Sequence, residues 1–246
     1  MPTTTTAAAS TPTAQSILAE IEPLGRESYK KILLNHGIRE PVYGVKIEEL
    51  KKIQKRVKKD YRLALDLYDT GVYDAMYLAG LIADETKMTR QDLQRWLDDA
   101  TSAAICDFTV ARVAAESAHG WALAREWVDS KKDSTAATGW NTLSGLVAHK
   151  PDDQLDLKEL KRLLQRVARS IHDEPDGVRY AMNGFVIAVG TYVAPLSDDA
   201  TAIAKQIGEV EVDMGNTACQ VPNASTYIAK VRQRGSIGKK RKTVRC

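Results

Sequence analysis

LYDTGVYDAMYLAGLIADETKMTRQDLQRWLDDATSAAICD, residues Leu67–Asp107, decides the fold. Its apolar residues recur at helical spacing, so the segment reads as two amphipathic helices joined by a polar connection, then a carboxylate opening a third. Thr70-Gly71 breaks a hairpin between helices at 61–69 and 73–84. Thr89-Arg90-Gln91-Asp92 has the spacing of a capping box, with Asp in the acidic slot, and predicts a helix through Trp96 to about Asp99.

The same signals extend outward on both sides. Residues 15–36 are expected as a helix closed by Gly37 in a left-handed conformation. IREPVYGVK comes next as a loop, because Pro41 disfavours helix at Glu40. Ile47, Leu50, Ile53 and Val57 place the next helix at 47–58, and further helices are predicted at about 104–117, 119–130, 133–148, 156–172, 177–193, 198–207 and 223–234. Strand-like alternation occurs only briefly, at Val210–Val212 in the connection EVEVDMGNTACQVP, to which the sequence assigns no role. The class is therefore all-α. Helix pairs recurring every few tens of residues suit a solenoid or an irregular bundle, and periodicity does not choose between them.

Composition narrows the function. Aromatic residues make up 6% of the 246, and Ala, Leu, Val and Ile dominate the apolar set, as packed helices require. No apolar run approaches the roughly 20 residues of a membrane-spanning helix, and MPTTTTAAASTPTAQS lacks the basic and apolar regions of a secretory signal. Residues 1–14 are expected to be a disordered lead-in, 15–234 a single helical-repeat domain and 235–246 a basic C-terminal tail. Cys106, Cys219 and Cys246 lie far apart without a CxxC pair, and His36, His119, His149 and His172 are equally scattered. That pattern fits a reducing compartment and no metal site. A cytoplasmic monomer, nucleoid-associated in a bacterium, is the expectation.

Charge is distributed unevenly. Residues 230–246 carry eight cations and no acid, so the rest of a chain with net charge +3 stands at −5. Within 47–62, Lys51, Lys55, Lys58, Lys59 and Arg62 fall opposite the apolar stripe; within 156–172, Lys158, Arg162, Arg166 and Arg169 do the same. An ordinary solvated helix face is the plainer reading of either stripe alone. Two stripes plus Lys239, Lys240, Arg241 and Lys242 in GSIGKKRKTVRC (235–246) point to a phosphate backbone. Gly235 and Gly238 should leave the tail cations free to adapt; a nuclear-import signal or a solubilising end has the same composition.

Four matches bear on a family. GVKIEELKKIQK (Gly44–Lys55) and LYDTGVYDAMYLAGLIAD (Leu67–Asp84) are similar to the patterns GVKxxDLRKLxK and LWDTGxYEARxLA, and SAAICD (Ser102–Asp107) to S-W-D-[LI]-C-D. GVRYAMNGFVIAVG (Gly177–Gly190) resembles FVKKAxNWALRxIG through Val178, Arg179, Ala181, Asn183 and Gly190. These patterns belong to the AlkD-like DNA alkylation repair family, HEAT-like repeat alkylpurine DNA glycosylases, and the resemblance covers roughly residues 26–195. It implies a HEAT-like (armadillo-type) solenoid of paired antiparallel helices.

The resemblance also implies a chemistry. Purines alkylated at N3 or N7 are cationic and leave readily, so the enzyme needs a carboxylate to stabilise positive charge on the sugar and to position a water. Asp107 matches that carboxylate, and no metal or redox cofactor is required. Ala103 and Gly184 stand where the family has tryptophans, with Ala104 in place of an acid and Ile187 in place of an arginine. Phe185, Tyr180 and Trp140 are the candidates to supply a replacement face for a cationic base. The expected partner is double-stranded DNA, alkylated or distorted, held through the basic residues above and Arg179. Two alternatives stay open: non-catalytic binding of damaged or branched DNA, and a helical-repeat adaptor for protein.

Overall fold

Short polar side chains start several of the helices. Thr13 accepts from the Ser16 amide while Ser16 reaches back, and Thr89 and Asp92 form the same reciprocal cap in the way the sequence predicts. Asp60, Asp156 and Asn223 each cap a further helix by accepting from the backbone amide three residues on. The computed structural model describes residues 12–215 and 217–245, so most of the predicted disordered lead-in lies outside the described residues.

The elements in order are α1 (Ala14–Ile21), α2 (Glu27–Asn35), α3 (Ile47–Val57), α4 (Tyr61–Tyr68), α5 (Tyr73–Ile82), α6 (Arg90–Asp98) and α7 (Ala103–Ile105). A five-residue π-helical turn, Cys106–Val110, leads from α7 into α8 (Ala111–Glu116). Then come α9 (Gly120–Trp127), α10 (Asp133–His149), α11 (Leu157–Ser170), α12 (Asp176–Tyr192), α13 (Ser197–Ile207) and α14 (Ala224–Gln233). The described residues contain no strand and no helix long and apolar enough to cross a membrane.

Two expectations need correction. The helix expected at 15–36 is two helices separated by a 3-10 turn at Glu22–Leu24. Pro23 cannot continue the ladder, and a Cβ at Gly25 would lie 2.3 Å from the Tyr43 carbonyl oxygen, so the chain must turn there. The basic stripe read across 47–62 is also interrupted. Helix α3 stops at Val57, Lys58 takes a positive φ of 64°, and Arg62 belongs to α4.

The helices stack with α4 on α5, α10 on α8, α9 and α12, and α12 on α13 and α14. Their apolar faces form two cores, one running from Ile17 to Trp127 and the other from Ala115 to Val244. In the first, Trp96 stacks on Tyr68 with ring centroids 4.3 Å apart; in the second, Trp140 meets Phe185 at 5.2 Å. Buried Asp74 on α5 accepts from the Tyr43 and Val45 amides at 2.6 and 2.7 Å, tying the 36–46 loop to the first core.

Candidate nucleic-acid interface

Asp107 sits on the π turn. There the Ala111 amide donates to the Cys106 carbonyl, one residue further back than in an α-helix, which widens the turn. The turn lies tight on α5: a Cβ at Gly80 would come within 2.8 Å of the Thr109 methyl. Thr109 is fully buried against that glycine, while Asp107, two residues earlier, stays partly exposed. Its carboxylate accepts from the Asn141 side-chain amide of α10 at 2.7 Å. Burial pushes its pKa up to about 6 against the opposing pull of that hydrogen bond and of the Arg112 charge. Burial and then the Asp107 charge push the neighbouring Cys106 thiol up to about 11, which leaves it protonated at neutral pH.

Asp107 lines a cavity of about 320 Å³ together with Phe108, Arg112, Asn141, Tyr180 and Gly184. Tyr227 of α14 and Arg241 and Val244 of the tail complete the wall. Of the three candidates for an aromatic face, only Tyr180 reaches this cavity; Trp140 and Phe185 are wholly buried in the second core. The sequence reading missed Phe108 and Tyr227, which leave large apolar faces open beside Tyr180. The Arg112 guanidinium lies 4.9 Å above the Phe108 ring, an i,i+4 cation–π contact that the sequence could have signalled.

The tail is a docked strap, not a free end. Its Gly238 amide donates to the Thr191 carbonyl and its Arg241 amide to the Ala148 carbonyl, each at 2.8 Å. Lys240 donates to the Val147 carbonyl and pairs with Asp152 at 2.7 Å. Arg112 donates to the Val244 carbonyl at 2.6 Å, and Val244 is buried in the second core. Beyond it, Arg245 donates to Glu116, to Glu85 and to the Ala83 carbonyl at 2.6–2.7 Å. The strap thus satisfies carbonyls at the C-terminal ends of α10 and α5, where backbone acceptors lack helical partners and cations are favoured.

Docking the strap creates a second cavity, of about 530 Å³. It brings Lys55, Lys58 and Lys59 from the end of α3 together with His149, Lys242 and Arg245. Lys59 is held by Glu85 and Arg245 by both acids, whereas Lys55, Lys58 and Lys242 make no ion pair among the described residues. The strap separates this basic cavity from the one holding Asp107: Arg241 and Val244 face one, Lys242 and Thr243 the other.

The remaining predicted cations lie elsewhere. Lys51 lies one helical turn before Lys55 and lines neither cavity. Arg62 lines a different, acidic cavity with Asp60, Asp66 and Asp69. Arg162 pairs with Glu159, and Arg166 pairs with Asp129 while lying 5.5 Å over the Trp140 ring. Arg179 pairs with Asp176. Lys158, Arg169 and Lys239 are exposed and line neither cavity.

Comparison with known proteins agrees with this architecture. The family model "DNA alkylation repair enzyme" matches residues 17–207. An uncharacterised protein of Listeria monocytogenes is 34% identical over 220 residues, covering 87% of this chain and 95% of that protein. Its counterpart in Listeria innocua is 33% identical over the same length. A solved structure superposes with a TM-score of 0.88 at 37% identity, over 96% of this chain and 100% of that one. It represents a family related to the HEAT-like repeat DNA glycosylases with affinity for branched DNA structures. The all-α, HEAT-like expectation is borne out.

Proposed function

We propose, on the premise that this chain belongs to the DNA alkylation repair enzyme family, that it binds branched or distorted DNA across the strap and the two cavities beside it. One observation carries this reading: Lys55, Lys58 and Lys242, from opposite ends of the sequence, converge on one cavity without acidic partners among the described residues. Unpaired cations gathered in a concavity favour an anion, and a run of phosphates supplies several at the spacing of a helix end and an extended strap. The affinity of the solved relative for branched DNA supports the choice of partner. The test is binding of a four-way junction and of a linear duplex across a salt series. Affinity that falls steeply with salt and favours the junction is expected; no binding at low salt overturns the reading.

A second reading, N-glycosidic hydrolysis of cationic N3- or N7-alkylpurines, rests on Asp107. The carboxylate, oriented by Asn141 and titrating near 6, is suited to stabilise positive charge at C1′ and to accept a proton from water. In that reaction the base leaves with the bonding pair, which neutralises its own charge, and water adds its oxygen to C1′. Release of methylated bases from N-methylpurine-containing duplex, compared with Asp107→Asn, tests it. Equal release by the two proteins, or none, removes hydrolysis and leaves the binding function.

A further inference from the structure

The aromatic cavity holds more than a carboxylate. Phe108, Tyr180 and Tyr227 are 46%, 41% and 48% exposed, and all three line it. Large apolar side chains left open in one recess, not scattered over the surface, mark a binding site. They come from the π turn, α12 and α14, so no single helix face accounts for them. The volume, about 320 Å³, lies at the small end of ligand-sized cavities.

Gly184 keeps the space open, since a Cβ there would meet nothing within 4 Å. Polar side chains also line it, among them Asp107, Arg112, Asn141, Ser144 and Arg241. Asp107 supplies a carboxylate acceptor held in place by the Asn141 side-chain amide. The site therefore asks for a flat aromatic ligand that carries hydrogen-bonding groups at its edge. The basic cavity lies just across the strap.

We propose that the recess bounded by Phe108, Tyr180, Gly184 and Tyr227 seats a single unstacked nucleobase while the cations across the strap hold the adjoining phosphates. The inference rests on the DNA-binding reading and gives it a means of selecting disrupted DNA. An unpaired base has already lost its pairing, so its entry costs less than extraction from an intact duplex. Stacking on aromatic side chains accepts any base, and the Asp107 carboxylate complements an edge with an amino or ring N–H donor.

The test compares three probes by fluorescence anisotropy: a perfect duplex, the same duplex with one unpaired nucleotide, and that duplex with an abasic analogue at the unpaired position. Tighter binding of the unpaired base over its abasic counterpart, about tenfold or more, is expected. Gly184→Trp fills the recess and Tyr227→Ala removes one wall; both should abolish the difference between the base-bearing and abasic probes. Because Tyr227 is exposed, its variant carries the test even if the tryptophan at 184 disturbs α12. Equal binding of base and abasic probes by the native chain overturns the base seat while the DNA reading stands, as does a preference that survives in Tyr227→Ala. Binding of none of the three probes at low salt overturns both.

Discussion

Arg245 reaches across 129 positions to donate to Glu116 at 2.7 Å, with the two side chains only 8% and 5% exposed. The same guanidinium holds Glu85, so the strap ends by joining the α5 side of the first core to the α8 end near the second. The strap is a wall of both cavities, so this contact helps to set their shape.

Breaking the contact should be costly. Arg245→Ala leaves the buried Glu116 carboxylate without its cation, while Glu85 keeps Lys59, a change expected to cost about 3–5 kcal/mol. Urea unfolding measures it, and an exposed cation such as Lys158, changed to Ala, is the control with almost no effect. A cost below about 1 kcal/mol for Arg245→Ala would mean that the strap is a surface ornament.

Acid should release the strap. Burial alone would raise Glu116 and Glu85, yet both lie below their ordinary 4.5: the Arg245 charge leads the opposing effects at Glu116, and the Lys59 hydrogen bond leads them at Glu85. Carboxyls lowered in the folded state contribute stability that is complete above about pH 4.5 and is lost as pH falls through their folded values. Amide exchange of residues 238–245 should quicken below pH 4, ahead of exchange in α10 and α12. Uniform protection down to global unfolding would contradict this.

Asp107 has the opposite sign. Its folded pKa of about 6 lies above the ordinary 3.8, so its charge opposes folding increasingly as pH rises from 3.8 to 6. Asp107→Asn should therefore stabilise the protein at pH 7 by about 1–3 kcal/mol and leave it unchanged at pH 3.5. Denaturant unfolding at the two pH values reads the difference. An Asn variant less stable at pH 7 would show that the carboxylate is structural.

The cations can be counted by salt. If Lys55, Lys58 and Lys242 each meet a phosphate, replacing one by Ala should reduce the slope of log K against log salt by about 0.9. Arg62→Ala, on the acidic cavity, should leave the slope alone. Titrations of junction DNA between low and moderate salt supply the slopes.

Periodicity and capping made helices such as α4, α6, α11 and α14 legible, because each carries an apolar stripe or a cap that local sequence sets, whereas α5 is buried on every side. What failed did so for identifiable reasons. The break at Glu22–Leu24 depends on the close approach of Gly25 to Tyr43, a contact between segments. The stripes counted cations without their partners; Arg162, Arg166 and Arg179 proved to be paired with Glu159, Asp129 and Asp176. Asp107 was legible as a residue, but Asn141, Phe108 and Tyr227 became its neighbours only through the packing of α10, α12 and α14. The basic tail was legible as charge, while its docking depended on Glu85 and Glu116, acids that local patterning does not mark out.

The widened turn at Cys106–Val110 leaves this region no slack in length. Each residue of a helix advances the chain by about 100° of rotation. Shortening the turn by one residue would restore an ordinary spiral but rotate α7 against α8. Ile105 and Val110, both buried, could not then keep their seats while Asp107 kept its view of the recess. A single-residue deletion within 106–110 should therefore disturb the packing and the recess together, and related chains that keep the recess should keep the count.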